Sequence, residues 1–168
     1  VGMADSLVRS GSYRNVMVVG AEIQSSALDF STAGRDVAVL FGDGAGVGII
    51  SAADEDDTSA IHSWHLHADG RKADALAGKV WDIKQKPFIQ HEGQAGVVNP
   101  DLLYPYMNGR EVFKYATRGM IGVIMEACAA NNITPADIDL VVPHQANMRI
   151  NEYVAKILEI PAEKVIHT

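Results

Sequence analysis

A histidine, a glutamine and an asparagine follow a short apolar run near the end of the chain. Residues 141–150 read VVPHQANMRI, so two valines are followed at once by Pro143, His144, Gln145 and Asn147. The apolar run predicts a buried strand, and the pattern after it predicts a helix. In open α/β sheets, ligands gather at the carboxyl ends of strands. The sequence therefore predicts a functional site around His144.

The predicted helix start next to His144 favours chemistry in which negative charge develops. The first N–H groups of a helix lack intrahelical partners and carry a partial positive charge. A neutral histidine at this point can donate a hydrogen bond to an oxyanion. The alternative is that His144 and Asn147 only cap the helix, and the residues alone leave both interpretations open.

The overall composition is that of a globular domain without a general attraction for anions. The chain has 168 residues, of which 48% are hydrophobic and 21% charged, and its formal net charge is −7. We therefore expect no nucleic-acid binding, and any anionic partner needs a local basic patch. No apolar run reaches transmembrane length, so we expect no membrane binding. The single cysteine, Cys128, fits a reducing compartment and predicts a cytoplasmic location.

The elements that must position His144 follow from the hydrophobic pattern. Residues 15–22 and 46–53 are short apolar runs that predict strands buried on both faces. The stretch from Arg35 to Gly46 is compatible with either a short helix or a strand. This order of elements predicts a layered α/β fold with a mainly parallel sheet and covering helices.

Two helices are predicted in the second half of the chain. The first begins at Asn108, with Glu111 three residues later as in a capping box, and ends at Asn131. Its apolar stripe consists of Val112, Phe113, Ala116, Met120, Val123, Ile124 and Ala127. In the second helix the residues expected to point inward are Ile150, Val154, Ile157 and Leu158.

Three further stretches bear on the extent of the fold. Residues 1–10 have the spacing of a helix whose beginning is missing, and Val165 starts a β-branched run that stops at Thr168. Both ends therefore predict a longer fold. Residues 71–105 show no sustained period, which predicts an excursion over the surface.

Two patterns imitate binding sites. Residues 42–48, GDGAGVG, suggest a phosphate loop but lack its lysine and its strand-to-helix context, so we expect no nucleotide site there. His62, His65 and His67 suggest a metal site. On an extended strand, however, His65 and His67 face one way and His62 the other, so we expect no metal.

Four segments resemble the β-ketoacyl-acyl carrier protein synthase III family, and they occur in the family's order. They are LFGDGAGVGII, NGREVFKYATR, DIDLVV and PHQANMRI. The resemblance implies a thiolase-like fold, in which two similar α/β halves form one subunit and two subunits form a homodimer. Residues 1–53 would end the N-terminal half, 54–107 would connect the halves, and 108–168 would belong to the C-terminal half. The glycine-rich stretch would be a structural turn near the active site.

The resemblance also implies an activity. Members of this family condense an acyl-CoA primer, such as acetyl-CoA, with malonyl-acyl carrier protein, losing CO₂ and starting fatty-acid synthesis. His144 would be the catalytic histidine that holds the malonyl thioester oxygen as the enolate forms. The family's cysteine nucleophile would lie about two helical turns before Val1, and its Gly-Asn-Thr-Ser motif would follow Thr168. We therefore expect Cys128 to be a buried core thiol, the chain alone to be inactive, and no cofactor besides the thioester substrates.

On the same resemblance, further residues are expected to contact the substrates. Arg149 would receive the phosphopantetheine arm, Lys156 would meet the acidic carrier protein seven residues along the same helix face, and Arg35 would meet the CoA nucleotide. The remaining expected substrate contacts are Asn147, Asn108, Gly109 and Phe113. For Arg149 and Lys156, solvated surface charge is the alternative.

Two other functions stay open at the level of the sequence. A related synthase that makes polyketide-type or quinolone-type products would use the same histidine. A non-catalytic binding or oligomerisation module would keep the thiolase-like shape without the chemistry. A cysteine-bearing helix start upstream in the gene would separate the synthases from the module.

Overall fold

The computed structural model describes residues 1–54, 56–57, 59–78 and 104–167. Most of the predicted surface excursion, residues 79–103, lies outside the described residues. The helices are α1 (Gly2–Arg9), α2 (Arg35–Ala38), α3 (Gly109–Ala130) and α4 (Met148–Ile157). The strands are β1 (Asn15–Glu22), β2 (Gly44–Ser51), β3 (Leu76–Ala77) and β4 (Tyr106–Met107). Short 3-10 helices occupy Ser25–Ala27, Gly70–Ala75, Pro135–Asp137 and Ala162–Lys164.

The strand ladders within the described ranges are antiparallel. β1 pairs with β2, so that Asn15 lies opposite Ser51, and β3 pairs with β4. Parallel pairing occurs there as the isolated bridge between Val141 and Val165. The expectation of a mainly parallel sheet is therefore wrong for the described strands. The connection from β1 to β2 contains only short helices and brings the chain back beside β1 in the opposite direction, instead of forming the crossover helix usual between parallel strands.

One face of the β1–β2 ladder is exposed, although the sequence predicts strands buried on both faces. Met17 pairs with Ile49 and Val19 pairs with Val47, so these four side chains share one face. Their exposed fractions lie between 58% and 67%. We call these four residues the exposed face of β1–β2. None of the described residues covers it well enough to bury it.

Helix α3 has the bounds that the sequence predicts. The side chain of its N-cap, Asn108, accepts a hydrogen bond from the Glu111 backbone N–H at 3.2 Å. The predicted apolar stripe is half-buried, and Thr117 and Cys128 are buried beside it. Asn132, which follows the C-cap, has a φ of 55°, a left-handed conformation that ends helices. No helix of the described ranges has both the length and the apolar character needed to cross a membrane.

A small core joins α4 to the last described residues. Ala155, Ile160 and Val165 are buried there, and Ile138, Val141 and Leu158 pack against them. The Val141 N–H donates to the Lys164 carbonyl at 2.7 Å, and the strand predicted from the apolar run before His144 is reduced to a bridge. α4 buries Ile150, Asn151, Val154 and Ala155. The expectation that Ile157 points inward is wrong, because it is 50% exposed.

Candidate active site

His144 lies in the loop between the Val141 bridge and the start of α4, where the sequence predicts a site. The residue is exposed, and its imidazole ring makes no hydrogen bond to any described residue. The ring is therefore available to a substrate.

Side-chain amides hold the backbone around His144. Gln145 Nε2 donates to the Pro143 carbonyl at 2.8 Å and to the Ile166 carbonyl at 3.0 Å. Asn151 Nδ2 donates to the His144 carbonyl at 3.3 Å. The loop is thus tied both to the last described residues of the chain and to α4.

Asn147 is the N-cap of α4. Its Oδ1 accepts a hydrogen bond from the Arg149 backbone N–H at 3.0 Å. Capping of this kind stabilises a helix by roughly 1 kcal/mol. The capping interpretation therefore holds for Asn147. His144 lies three residues before the cap, so it precedes the helix start without being part of the cap.

Arg149 and Lys156 are both exposed on α4. Within the described ranges, neither side chain has a hydrogen bond or an ion pair. Seven residues separate them, which puts them on one face of the helix. Their charges are therefore free to act on an external partner.

Phe113 brings the start of α3 against α4. Its ring meets Tyr153 of α4 edge-to-face, with 5.8 Å between the ring centroids and an interplanar angle of 66°. Asn108 and Gly109 stand one helical turn before Phe113, and the Asn108 side chain is engaged in the cap. Phe113, Asn108 and Gly109 thus belong to the start of a helix that contacts α4, the helix that carries Arg149 and Lys156.

Arg35 is the first residue of α2 and is exposed. Its guanidinium lies 3.6 Å from the Asp36 carboxylate, an exposed pair that contributes little to stability. α2 touches β4, which directly precedes Asn108. Arg35 therefore belongs to a helix next to the start of α3, and no described contact joins its side chain to His144.

The glycine-rich stretch differs from the turn that the resemblance implies. Residues 44–48 lie within strand β2, and Gly42 and Asp43 before it have no regular secondary structure. The Asp43 carboxylate accepts hydrogen bonds from the Gln24 N–H at 2.7 Å, the Ser25 N–H at 2.8 Å and the Ser25 hydroxyl at 2.6 Å. These bonds, led by those from Ser25, lower the pKa of Asp43. The stretch therefore anchors the loop that follows β1.

His65 and His67 share a side, as their spacing predicts. His65 Nδ1 is 3.0 Å from one oxygen of Glu126 on α3, and His67 Nε2 is 2.6 Å from the other. The bonds from His67 and His65 lower the pKa of the Glu126 carboxyl. His62 is exposed and takes no part. The pair therefore fastens its segment to α3.

Cys128 is only 3% exposed and lies late in α3. The prediction of a buried core thiol is confirmed.

Asn151 is the residue near His144 that sequence reasoning missed. It is 2% exposed, and its Oδ1 has no hydrogen-bond partner among the described residues. Such a buried, unpaired acceptor costs about 1–3 kcal/mol. The available signal was an asparagine between Ile150 and Val154 on the apolar stripe of α4, where an aliphatic residue would pack without this cost.

Comparison with known proteins agrees with the resemblance. The family profile described as 3-oxoacyl-[acyl-carrier-protein (ACP)] synthase III matches residues 1–70, and the profile of its C-terminal part matches residues 128–168. The beta-ketoacyl-[acyl-carrier-protein] synthase III of Granulibacter bethesdensis is 44% identical to this chain, over 100% of the chain and 48% of the relative. The protein of the same name from Alkalilimnicola ehrlichii is 41% identical, with the same coverage.

A solved structure agrees as well. The 3-oxoacyl-[acyl-carrier-protein] synthase III from Aquifex aeolicus superimposes with a TM-score of 0.80 and 35% identity, over 99% of this chain and 46% of that one. The expected α/β, thiolase-like class is therefore confirmed. The division into residues 1–53, 54–107 and 108–168 stays a prediction. The chain spans about half the length of the curated relatives it matches, and it belongs to the β-ketoacyl-acyl carrier protein synthase III family.

Proposed function

We propose that this chain carries the histidine side of the active site of a condensing enzyme. The reaction joins an acyl-CoA primer, such as acetyl-CoA, to malonyl-acyl carrier protein with loss of CO₂, and it starts fatty-acid synthesis. The observation that carries the proposal is His144, whose exposed and unengaged imidazole belongs to a residue three positions before the N-cap of α4, inside the segment that the C-terminal family profile matches.

The proposed role of His144 follows from the charge that decarboxylation creates. When the bond to the leaving CO₂ breaks, its electron pair passes to the malonyl thioester, and negative charge develops on the thioester oxygen. A histidine N–H that is already aimed at this oxygen lowers the barrier by roughly 3–4 kcal/mol. The enolate carbon then attacks the acyl thioester held on the enzyme's cysteine, and the thiolate leaves. That cysteine and a second donor, an asparagine, are expected outside these 168 residues.

Arg149 and Lys156 are proposed to receive the carrier protein. Both are exposed cations on one face of α4, on a chain whose formal net charge is −7. A local positive patch attracts and orients an acidic partner. Arg35 is proposed to meet the CoA nucleotide. The start of α3, with Asn108, Gly109 and Phe113, is proposed to line the substrate channel together with Asn147.

The proposed reaction uses two thioesters and needs no further cofactor. We also propose that the complete protein is a cytoplasmic homodimer. Pairing of two subunits is what membership of the synthase III family implies.

The alternatives are less well supported. The relatives reported above carry the synthase III name rather than that of a polyketide or quinolone enzyme. A non-catalytic module would have no need for a solvent-exposed histidine whose backbone is held by two side-chain amides.

The acylation step tests the proposal directly. The complete gene product is incubated briefly with acetyl-CoA, and its intact mass is measured under denaturing conditions. We expect one acetyl group, located by peptide mapping on a cysteine outside residues 1–168. The Cys128→Ser variant is the matched control and should be acetylated equally. Acetylation at Cys128, or none at any cysteine, would contradict the proposal.

A further inference from the structure

The two peptide planes on either side of the His144 Cα are both restrained by side-chain amides. The plane before it ends in the Pro143 carbonyl, to which Gln145 Nε2 donates at 2.8 Å. The plane after it contains the His144 carbonyl, to which Asn151 Nδ2 donates at 3.3 Å. Fixing both planes fixes φ and ψ at His144, and these angles set the direction of its Cα–Cβ bond.

Asn151 is poorly suited to a purely structural role. It is 2% exposed and lines a narrow cleft whose other walls are apolar side chains. The hydrogen bond to the His144 carbonyl settles the orientation of the Asn151 amide, because the opposite orientation would place Oδ1 against the carbonyl oxygen. This leaves Oδ1 buried without a partner among the described residues, which opposes folding. An aliphatic residue would fill the cleft without that penalty.

We propose that Asn151 is a positioning residue for His144. By holding the His144 carbonyl against the first turns of α4, it restrains the backbone from which the ring reaches the reacting thioester oxygen. Functional sites often contain a group that lowers the stability of the fold, and the unpaired Oδ1 of Asn151 is such a group. The catalytic consequence of this proposal rests on the function proposed above for His144.

The test compares Asn151→Leu with Val154→Ala in the complete gene product. Leucine keeps the branch of asparagine at Cγ and removes its donor, whereas Val154, 3% exposed in the same cleft, makes no hydrogen bond to His144 through its side chain. The kcat and KM for CO₂ release from malonyl-acyl carrier protein and the melting temperature are measured for each protein. The ¹Hε1–¹³Cε1 NMR signal of His144, assigned by its loss in His144→Ala, is recorded as well.

For Asn151→Leu we expect kcat to fall about 10- to 100-fold, since small displacements of a reacting group cost about that much. The KM should stay within about twofold, because carrier binding does not pass through this bond. The melting temperature should stay equal or rise, and the His144 signal should shift or broaden. Val154→Ala should show the reverse, with a lower melting temperature and an unchanged kcat and His144 signal.

Three results would overturn the inference. The first is an unchanged kcat in Asn151→Leu. The second is a fall in the kcat of Asn151→Leu that is explained by a fall in its melting temperature. The third is a His144 signal in Asn151→Leu that is the same as in the parent protein. If the parent protein itself releases no CO₂, the proposed function fails. The NMR comparison still decides whether Asn151 positions His144.

Discussion

The polar residues around His144 bond to the main chain rather than to the imidazole. Gln145 and Asn151 donate to carbonyl groups of the loop, and Asn147 accepts from the backbone of α4. Each of these amides therefore restrains the backbone and leaves the ring of His144 unengaged. This is the arrangement expected for a side chain that must act on a substrate from a fixed place.

The charge of Arg149 gives a prediction at the residue scale. In the complete gene product, Arg149→Glu should raise the KM for the carrier substrate about 3- to 10-fold at low salt, because it reverses a charge on the proposed docking face. Added salt should reduce the effect, since screening acts over about 10 Å at 0.1 M ionic strength. Steady-state kinetics at two salt concentrations measures this.

Arg14→Glu is the control for Arg149→Glu. It makes the same charge reversal at an exposed residue after α1, whose guanidinium lies 3.6 Å from Asp54. It should leave the KM unchanged. If Arg149→Glu and the parent protein have the same KM at low salt, Arg149 does not contribute to docking of the carrier protein.

The sequence predicts His144 and Asn147 better than it predicts Asn151. The first two follow an apolar run directly and precede a helical pattern, so their location depends on local spacing alone. The role of Asn151 depends on a contact with a carbonyl seven residues earlier, which exists only once the loop has folded back over α4. A polar residue on an apolar stripe signals such a contact but does not identify the partner.

At the scale of elements, α3 connects several parts of the chain. Its Glu126 accepts from both His65 and His67, and Asn131 at its end donates to Ser63 Oγ at 2.7 Å. Ser63 Oγ is also 3.0 Å from His65 Nε2. These bonds form one continuous network between the 63–67 segment and the last turns of α3. The network holds in place the helix whose other end faces α4.

Replacing Glu126 by glutamine tests this network. The pKa of Glu126 is lowered in the folded protein, so its carboxylate stabilises the fold at pH values above the ordinary pKa of a glutamate. This stabilisation is lost as the pH falls through the lowered pKa. Glu126→Gln should therefore lower the melting temperature at pH 7, since one amide cannot accept from both rings. The difference in melting temperature between Glu126→Gln and the parent protein should become smaller at low pH, because acid protonates Glu126 in the parent. Thermal unfolding across pH measures both effects, and a constant difference would contradict this account.

The elements themselves are predictable to different degrees. α3 shows a sustained 3.6-residue period and a capping asparagine, so both its existence and its bounds follow from local pattern. The locations of β1 and β2 also follow from their apolar residues. Their antiparallel direction and their exposure do not, because these depend on how the 23–43 connection folds and on what lies against the strands. Local sequence carries neither kind of information.

At the scale of the whole molecule, the described residues bury few apolar side chains. No large side chain among the described residues is fully buried, and the exposed face of β1–β2 is apolar. Exposed apolar faces of this kind are usually interaction surfaces or association hazards. The described chain thus presents surface that suits contact with further protein.

This surface predicts self-association of the 168-residue chain when it is produced alone. Light scattering after size-exclusion chromatography should show species larger than one chain of 18.0 kDa. Replacing the four residues of the exposed face by threonine, a β-branched residue suited to strands, should shift the distribution towards monomer. A monodisperse monomer that unfolds cooperatively without these substitutions would contradict the prediction.

His144 is proposed to stabilise the charge formed when malonyl-acyl carrier protein loses CO₂. The most direct measurement is the rate of CO₂ release by the complete gene product and by its His144→Ala variant, with acetylation by acetyl-CoA followed in parallel. Removal of one such donor costs about 100- to 1,000-fold in rate. We therefore predict a loss of that size in CO₂ release, with acetylation retained. Equal rates of CO₂ release in the two proteins would contradict the claim.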